Sequence, residues 1–157
     1  MRHSPKGVTI HPDFDALVKA TAARLVTKLV DVQSRRGEAT VVLTGGSAGT
    51  AVLSAVASGP ARTAVDWSRV NFWWGDERFV APDSPERNAV PAQEALLKPL
   101  GADPARVHEM PSTADFDTVE EAADAYAAEL AGAAEAEVLA EGFAAPDPRL
   151  PRFDVLL

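Results

Sequence analysis

The sequence predicts an open α/β domain, a mainly parallel sheet with helices on both faces. Two apolar runs, Thr40–Thr44 and Val70–Trp74, are continuous rather than alternating, as expected for strands covered on both sides. Each breaks at glycine, and helical apolar spacing follows. Strands joined through a helix pair in parallel and end on the same edge of the sheet. The loops Gly45–Thr50 and Gly75–Asn88 are therefore expected on one rim, where such sheets present ligands.

The elements follow in order. Val8–Ile10 is β-like and is expected to be an edge strand. Asp13 then caps a helix whose apolar positions are Phe14, Leu17, Val18, Thr21, Leu25, Leu29 and Val32. Arg35 and Arg36 suit its negative end, and Gly37 the left-handed position after it. Beyond the first buried strand and its glycine turn, a helix is expected from Ala51 to about Gly59-Pro60. The second buried strand, Val70–Trp74, runs into a loop carrying Asp76, Glu77, Arg78 and Asp83 and ending at Arg87-Asn88.

Ala89–Leu100 is expected to be helical, with Pro91 tolerated in its first turn. Arg106–Met110 is expected to be a short strand stopped by Pro111, and about Val119 to Glu141 a long helix. That helix is expected to turn Tyr126, Leu130, Val138 and Leu139 to the core. The segment 142–152 is a proline-rich loop. Phe153–Leu157 is expected to begin another buried strand, so residues 1–157 are taken as a single α/β domain, C-terminally truncated.

Composition narrows the function. The 157 residues, 46% hydrophobic, suffice for one core. A net charge of −8 argues against nucleic acid and anionic membrane as partners while leaving room for a small anion at a local positive site. No apolar run spans a membrane, and the N-terminus has no secretory h-region. Cysteine is absent, so disulfides and thiolate chemistry are excluded, which fits a cytoplasmic protein.

The candidate chemistry lies in the two loops. Strand, glycine turn and helix aim backbone N–H groups at an anion, though Gly45, Gly46 and Ser47 match neither a Walker loop nor a dinucleotide fingerprint. The alternative is a plain tight turn. Ser47 is expected to offer its hydroxyl to a phosphate or to cap the helix. Arg78 is the first candidate for two-pronged phosphate binding, against a surface arginine paired with Asp76 or Glu77. Arg87 is a second candidate for that role. Asp76 is expected to orient water or a substrate hydroxyl, or to hold Arg78, and Asn88 to contact a sugar hydroxyl or to be structural. His3 and His11 are expected to be exposed. His108 is weighed as a general base against a structural histidine. No cluster has metal-ligand spacing.

The stretches LTGGSAGT, DWSRVNFWWGDERFV and DSPERNA resemble the 6-phosphogluconolactonase family, along nearly the whole chain. The resemblance implies a Rossmann-like fold shared with sugar-phosphate isomerases. It also implies hydrolysis of 6-phosphoglucono-δ-lactone to 6-phosphogluconate in the oxidative pentose phosphate pathway, with no metal or cofactor. It assigns Gly45, Gly46 and Ser47 to the family's glycine loop and Arg78 to its phosphate-binding arginine. Asp76 becomes the acidic residue lining the site, and Asn88 the asparagine after the turn.

Two departures stand out. Ala48 replaces the family's frequent threonine. The family's catalytic histidine belongs to a Gly-x-Gly-x-Asp-x-His segment after the strand matching Phe153–Leu157, and that segment is not in this sequence. These residues are therefore expected to bind a sugar phosphate but to be inactive alone. The alternatives are a glucosamine-6-phosphate deaminase, which typically has Tyr where Arg78 stands, and a non-catalytic sugar-phosphate-binding domain.

Overall fold

The structure is a computed structural model and describes residues 7–142 and 145–157. His3, Phe143 and Ala144 fall outside the described residues. Three parallel strands form the sheet: β1 (Ala39–Leu43), β2 (Val70–Trp74) and β3 (Val155–Leu156), in the order β2-β1-β3. Among the described residues the sheet is surrounded by the helices α1 (Phe14–Arg36), α2 (Gly46–Ser58), α3 and α4 (Val119–Glu141). Helix α3 runs as Ala89–Ala92, a π-helical stretch Gln93–Leu97, and Lys98–Leu100. Pro99 has no N–H to give the carbonyl four residues before it, and the widened stretch ends two residues before it.

The side chains of β1 and β2 divide between two faces as the two-residue period requires. Val41, Leu43, Val70, Phe72 and Trp74 join Leu25, Leu29, Leu53, Val56, Leu96 and Leu97 in the main core, under α1, α2 and α3. Val42 and Trp73 face the other way and pack with Tyr126 of α4 and with Met110, Leu130 and Phe153. Helices thus cover both faces, and both apolar runs are buried as expected. The expected α1 caps are present: the Asp13 carboxylate accepts the Ala16 N–H at 2.7 Å, and Gly37 has φ 80°.

Other expectations are corrected. Val8–Ile10 is not a strand; it is irregular, with Ile10 90% exposed, because among the described residues no strand lies beside it to supply ladder partners. Helix α2 begins at Gly46 rather than Ala51, so the glycine turn is itself the first helical turn. Arg106–Met110 reduces to one bridge, Val107 to Phe72, with the His108 N–H bonded to the Phe72 carbonyl. His11 is half-buried rather than exposed.

Val138 and Leu139 do not reach the core, and Leu139 is 83% exposed. A 23-residue helix is about 35 Å long against about 17 Å for a five-residue strand, so the end of α4 overhangs the sheet. The buried strand expected over Phe153–Leu157 is two residues long, with Leu156 69% exposed. Among the described residues β3 is an edge. It is held by Asp154, whose carboxylate takes both Arg36 Nη atoms at 2.6 and 2.9 Å and the Thr40 N–H at 2.8 Å.

Tyr126 anchors α4 to β2, its hydroxyl accepting the Trp74 N–H at 3.0 Å and donating to the Trp74 carbonyl at 3.2 Å. Burial pushes this phenol from its ordinary 10.0 up to about 12. The native state therefore keeps a proton that the unfolded chain has released, and stability falls as pH rises from 10 through 12. Below pH 10 that contribution is fully present. Urea unfolding at pH 9, 10 and 11 is expected to show this loss in the native protein and not in Tyr126→Phe; equal slopes in both would refute it.

Candidate functional site

β1 and β2 are paired in register to their last residues, Leu43 opposite Trp74, and the Gly75 N–H extends the ladder to the Leu43 carbonyl at 3.1 Å. Both loops therefore leave the same edge, as expected of parallel strands. Gly46 has φ 81°, a conformation that favours glycine. At Gly45 the requirement is space: a Cβ there would overlap the Asn88 carboxamide oxygen. The glycine turn and the end of the charged loop are thus in direct contact.

Helix α2 starts in that contact with no side chain capping it. Ser47 is exposed in the first turn and does not cap, which leaves its hydroxyl free for a ligand. The first-turn N–H groups carry the positive end of the helix dipole. They border an open cleft of about 550 Å³ whose walls include Gly46, Ser47, Thr50, Glu86, Arg87 and Asn88.

The charged loop joins this cleft through Asn88. Its Nδ2 donates to the Asp76 carbonyl at 3.0 Å and to Asp76 Oδ1 at 3.2 Å. The other Asp76 oxygen takes Arg78 Nη1 at 2.9 Å. Arg78, Asp76, Asn88 and Gly45 form one continuous chain of contacts. Arg78 is 56% exposed and does not wall the α2 cleft; it borders a separate apolar groove of about 220 Å³ with Phe79, Pro111, Val119 and Tyr126. Asp76 occupies one prong of its fork, so an anion reaching Arg78 competes with Asp76.

Arg87 borders the α2 cleft, but its side chain is buried rather than offered to it. Its side chain is 2% exposed, and its guanidinium donates to the carbonyls of Met110 at 2.6 Å, Pro111 at 3.4 Å and Arg78 at 3.5 Å. The carboxylates of Glu77 and Glu109 lie 3.9 Å away. Its two Nη groups tie the loop to the segment before α4, while its buried Nε has no hydrogen-bond partner among the described residues, so it braces the site from behind. That segment is fixed in turn by Asp115, which accepts the Ser112 N–H and hydroxyl, each at 2.8 Å. Those bonds hold its carboxyl below the ordinary range.

The side chain of Glu77, weighed from sequence only as a partner of Arg78, is equally buried at 2% exposure. One oxygen accepts the N–H groups of Arg78 at 2.9 Å and Asn88 at 2.6 Å; the other accepts Ala89 N–H at 2.9 Å. It serves as the cap of α3 from eleven and twelve residues away. A cap that distant leaves no local signature.

His108 lies on the sheet face beneath α4. Its ring stacks on Trp73 at 3.9 Å, nearly parallel, and Nδ1 meets Glu129 Oε1 at 2.6 Å. That is a structural histidine's environment, and no histidine walls the α2 cleft. Among the described residues no group of three or more His, Asp or Glu could hold a metal, and no helix is long and apolar enough to cross a membrane.

A family profile described as glucosamine-6-phosphate isomerases/6-phosphogluconolactonase matches residues 12–157. Over 152 residues, 96% of this chain, the sequence is 49% identical to a 6-phosphogluconolactonase of Streptomyces coelicolor and 38% identical to that of Mycobacterium tuberculosis. These stretches are 55% and 57% of those proteins, so the chain spans about half the length of the relatives it matches. In three dimensions it resembles a crystal structure titled devB protein (TM-score 0.71, 26% identity, 94% of this chain and 55% of that one). It also resembles a 6-phosphogluconolactonase from Shewanella baltica (TM-score 0.65, 26% identity, 76% and 48%).

Proposed function

Because the chain belongs to the glucosamine-6-phosphate isomerase/6-phosphogluconolactonase family, we propose that its two rim loops hold the phosphate end of 6-phosphoglucono-δ-lactone. The activity they serve is hydrolysis of that lactone to 6-phosphogluconate, in the cytoplasmic oxidative pentose phosphate pathway. The observation that carries this reading is the uncapped, glycine-started N-terminus of α2 meeting Asn88 and, through Asp76, Arg78. Helix dipole, first-turn N–H groups, the Ser47 hydroxyl and one exposed guanidinium suit a phosphate dianion. Arg78, where the deaminase branch typically has tyrosine, favours the lactonase branch.

The chemistry divides between holding and attacking. Fixing the phosphate places the lactone ring, which lowers the entropic cost of bringing water to its carbonyl. Asp76, shared by Arg78 and Asn88, is a supporting group that would orient a sugar hydroxyl once Arg78 turns to the phosphate. Activating the water takes a base, and no histidine borders the cleft within these residues.

Titration calorimetry on the 157-residue protein tests the reading. Saturable binding of 6-phosphogluconate is expected, displaced by inorganic phosphate and not by gluconate, with lactonase turnover at the uncatalysed rate. Absence of binding, or equal binding of gluconate, would sink it.

A further inference from the structure

We propose that Glu77 is the positioning residue of this site. Its carboxylate sets Arg78 and Asn88 in relation to the α2 N-terminus without touching the ligand, and the affinity for a phosphorylated sugar acid depends on it. The proposal deepens the functional reading above and rests on it.

Glu77 stands one residue from Arg78, yet its side chain turns inward while that of Arg78 turns out. The single Oε1 atom accepts N–H groups from both Arg78 and Asn88, the two residues whose side chains flank Asp76. One atom therefore fixes the distance between the start of the charged loop and its end. The second oxygen holds Ala89 N–H and so fixes the direction in which α3 departs. A buried carboxylate is tolerable only when its lone pairs and charge are matched. Here three N–H donors, the positive end of α3 and the Arg87 guanidinium match them.

The consequence reaches the cleft through Asn88. With its backbone pinned, the Asn88 carboxamide lies against Gly45 and reaches Asp76. If that pin slips, Asn88 moves away from the glycine turn, and Asp76 loses the partner that aligns it for Arg78. Displacement by about an ångström at such a group is enough to cost a site much of its grip.

Glu77→Gln keeps shape and removes charge. The amide brings an NH₂ donor where an oxygen had accepted, so in either orientation it faces at least one backbone N–H. The Kd for 6-phosphogluconate, measured by calorimetry well below the melting temperature, is expected to weaken tenfold or more. The backbone amide resonances of Gly45, Arg78 and Asn88 are expected to shift in the ligand-free protein. A lowered Tm with a Kd within twofold of the native value would mean that Glu77 only stabilises the fold, and would overturn the proposal. Unmoved Gly45 and Asn88 resonances would overturn it equally.

The resonance readout needs no ligand. Failure of the native protein to bind 6-phosphogluconate would therefore strike the functional reading and not the positioning role. Should Glu77→Gln not fold, Glu77→Asp keeps the charge on a stem one methylene shorter. There a threefold or greater loss of affinity is expected, and native affinity would overturn the proposal.

Discussion

Arg87→Met is expected to lower the unfolding free energy by about 3–5 kcal/mol, read as a shift in urea midpoint at constant m-value. Methionine fills much of the volume, so the loss is not mainly a cavity. Three carbonyls, those of Arg78, Met110 and Pro111, lose their guanidinium donor. Glu77 is left as a buried carboxylate without its cation 3.9 Å away. Breaking one side of a buried pair costs far more than replacing both, because the survivor remains uncompensated. Arg87→Met with Glu77→Gln is accordingly expected to lose less than the sum of the two single changes. A single-mutant loss below 1 kcal/mol would show that water reaches this pair and that the brace is not what holds the loop.

Gly45→Ala is expected to abolish measurable 6-phosphogluconate binding while the chain still folds. The added methyl would overlap the Asn88 carboxamide, and one of the two loops must yield. The neighbouring Asn88 side chain borders the open cleft and is expected to yield by turning into it, so overpacking is expected to cost about 1–3 kcal/mol rather than the fold. Turning outward takes Nδ2 from Asp76 and separates the glycine turn from the charged loop. The control is Gly132→Ala on α4, where an added Cβ meets nothing within 4 Å. That variant should bind as the native chain does and melt slightly higher, alanine being the better helix former. Native-like affinity in Gly45→Ala would remove the Gly45–Asn88 contact from any role in binding.

Much of this molecule was legible in its sequence, and the exceptions share a cause. The parallel pair, the shared rim and the α1 caps follow from patterns confined to a few residues: an unbroken apolar run, a glycine at its end, Asp13 before Phe14. The contact between Gly45 and Asn88 was foreseen only as a shared edge, because spacing along the chain carries no ångström-scale information. Arg87 and Glu77 were misjudged because charged side chains in a polar loop are usually solvated. Nothing local says that these two face inward and bond chiefly to backbone groups. Val138 and Leu139 fit the helical period of α4 and still miss the core, since periodicity fixes a face and not how far the sheet beneath extends.

The sheet order has a consequence for how the chain assembles. Among the described residues β1 is the middle strand, yet its ladder partners lie far along the chain: Thr40 pairs with Asn71 across 31 residues, and its carbonyl accepts the Asp154 N–H across 114. Neither pairing can begin as a hairpin, because parallel strands need a crossover between them. Contacts of such long separation raise the contact order and bring loop-closure entropy ahead of any stabilising gain. Helices α1 and α2 pack on the same face of β1 and β2, so that layer can form while the later chain is still unengaged. During synthesis, β1 waits with one edge open until β3 arrives.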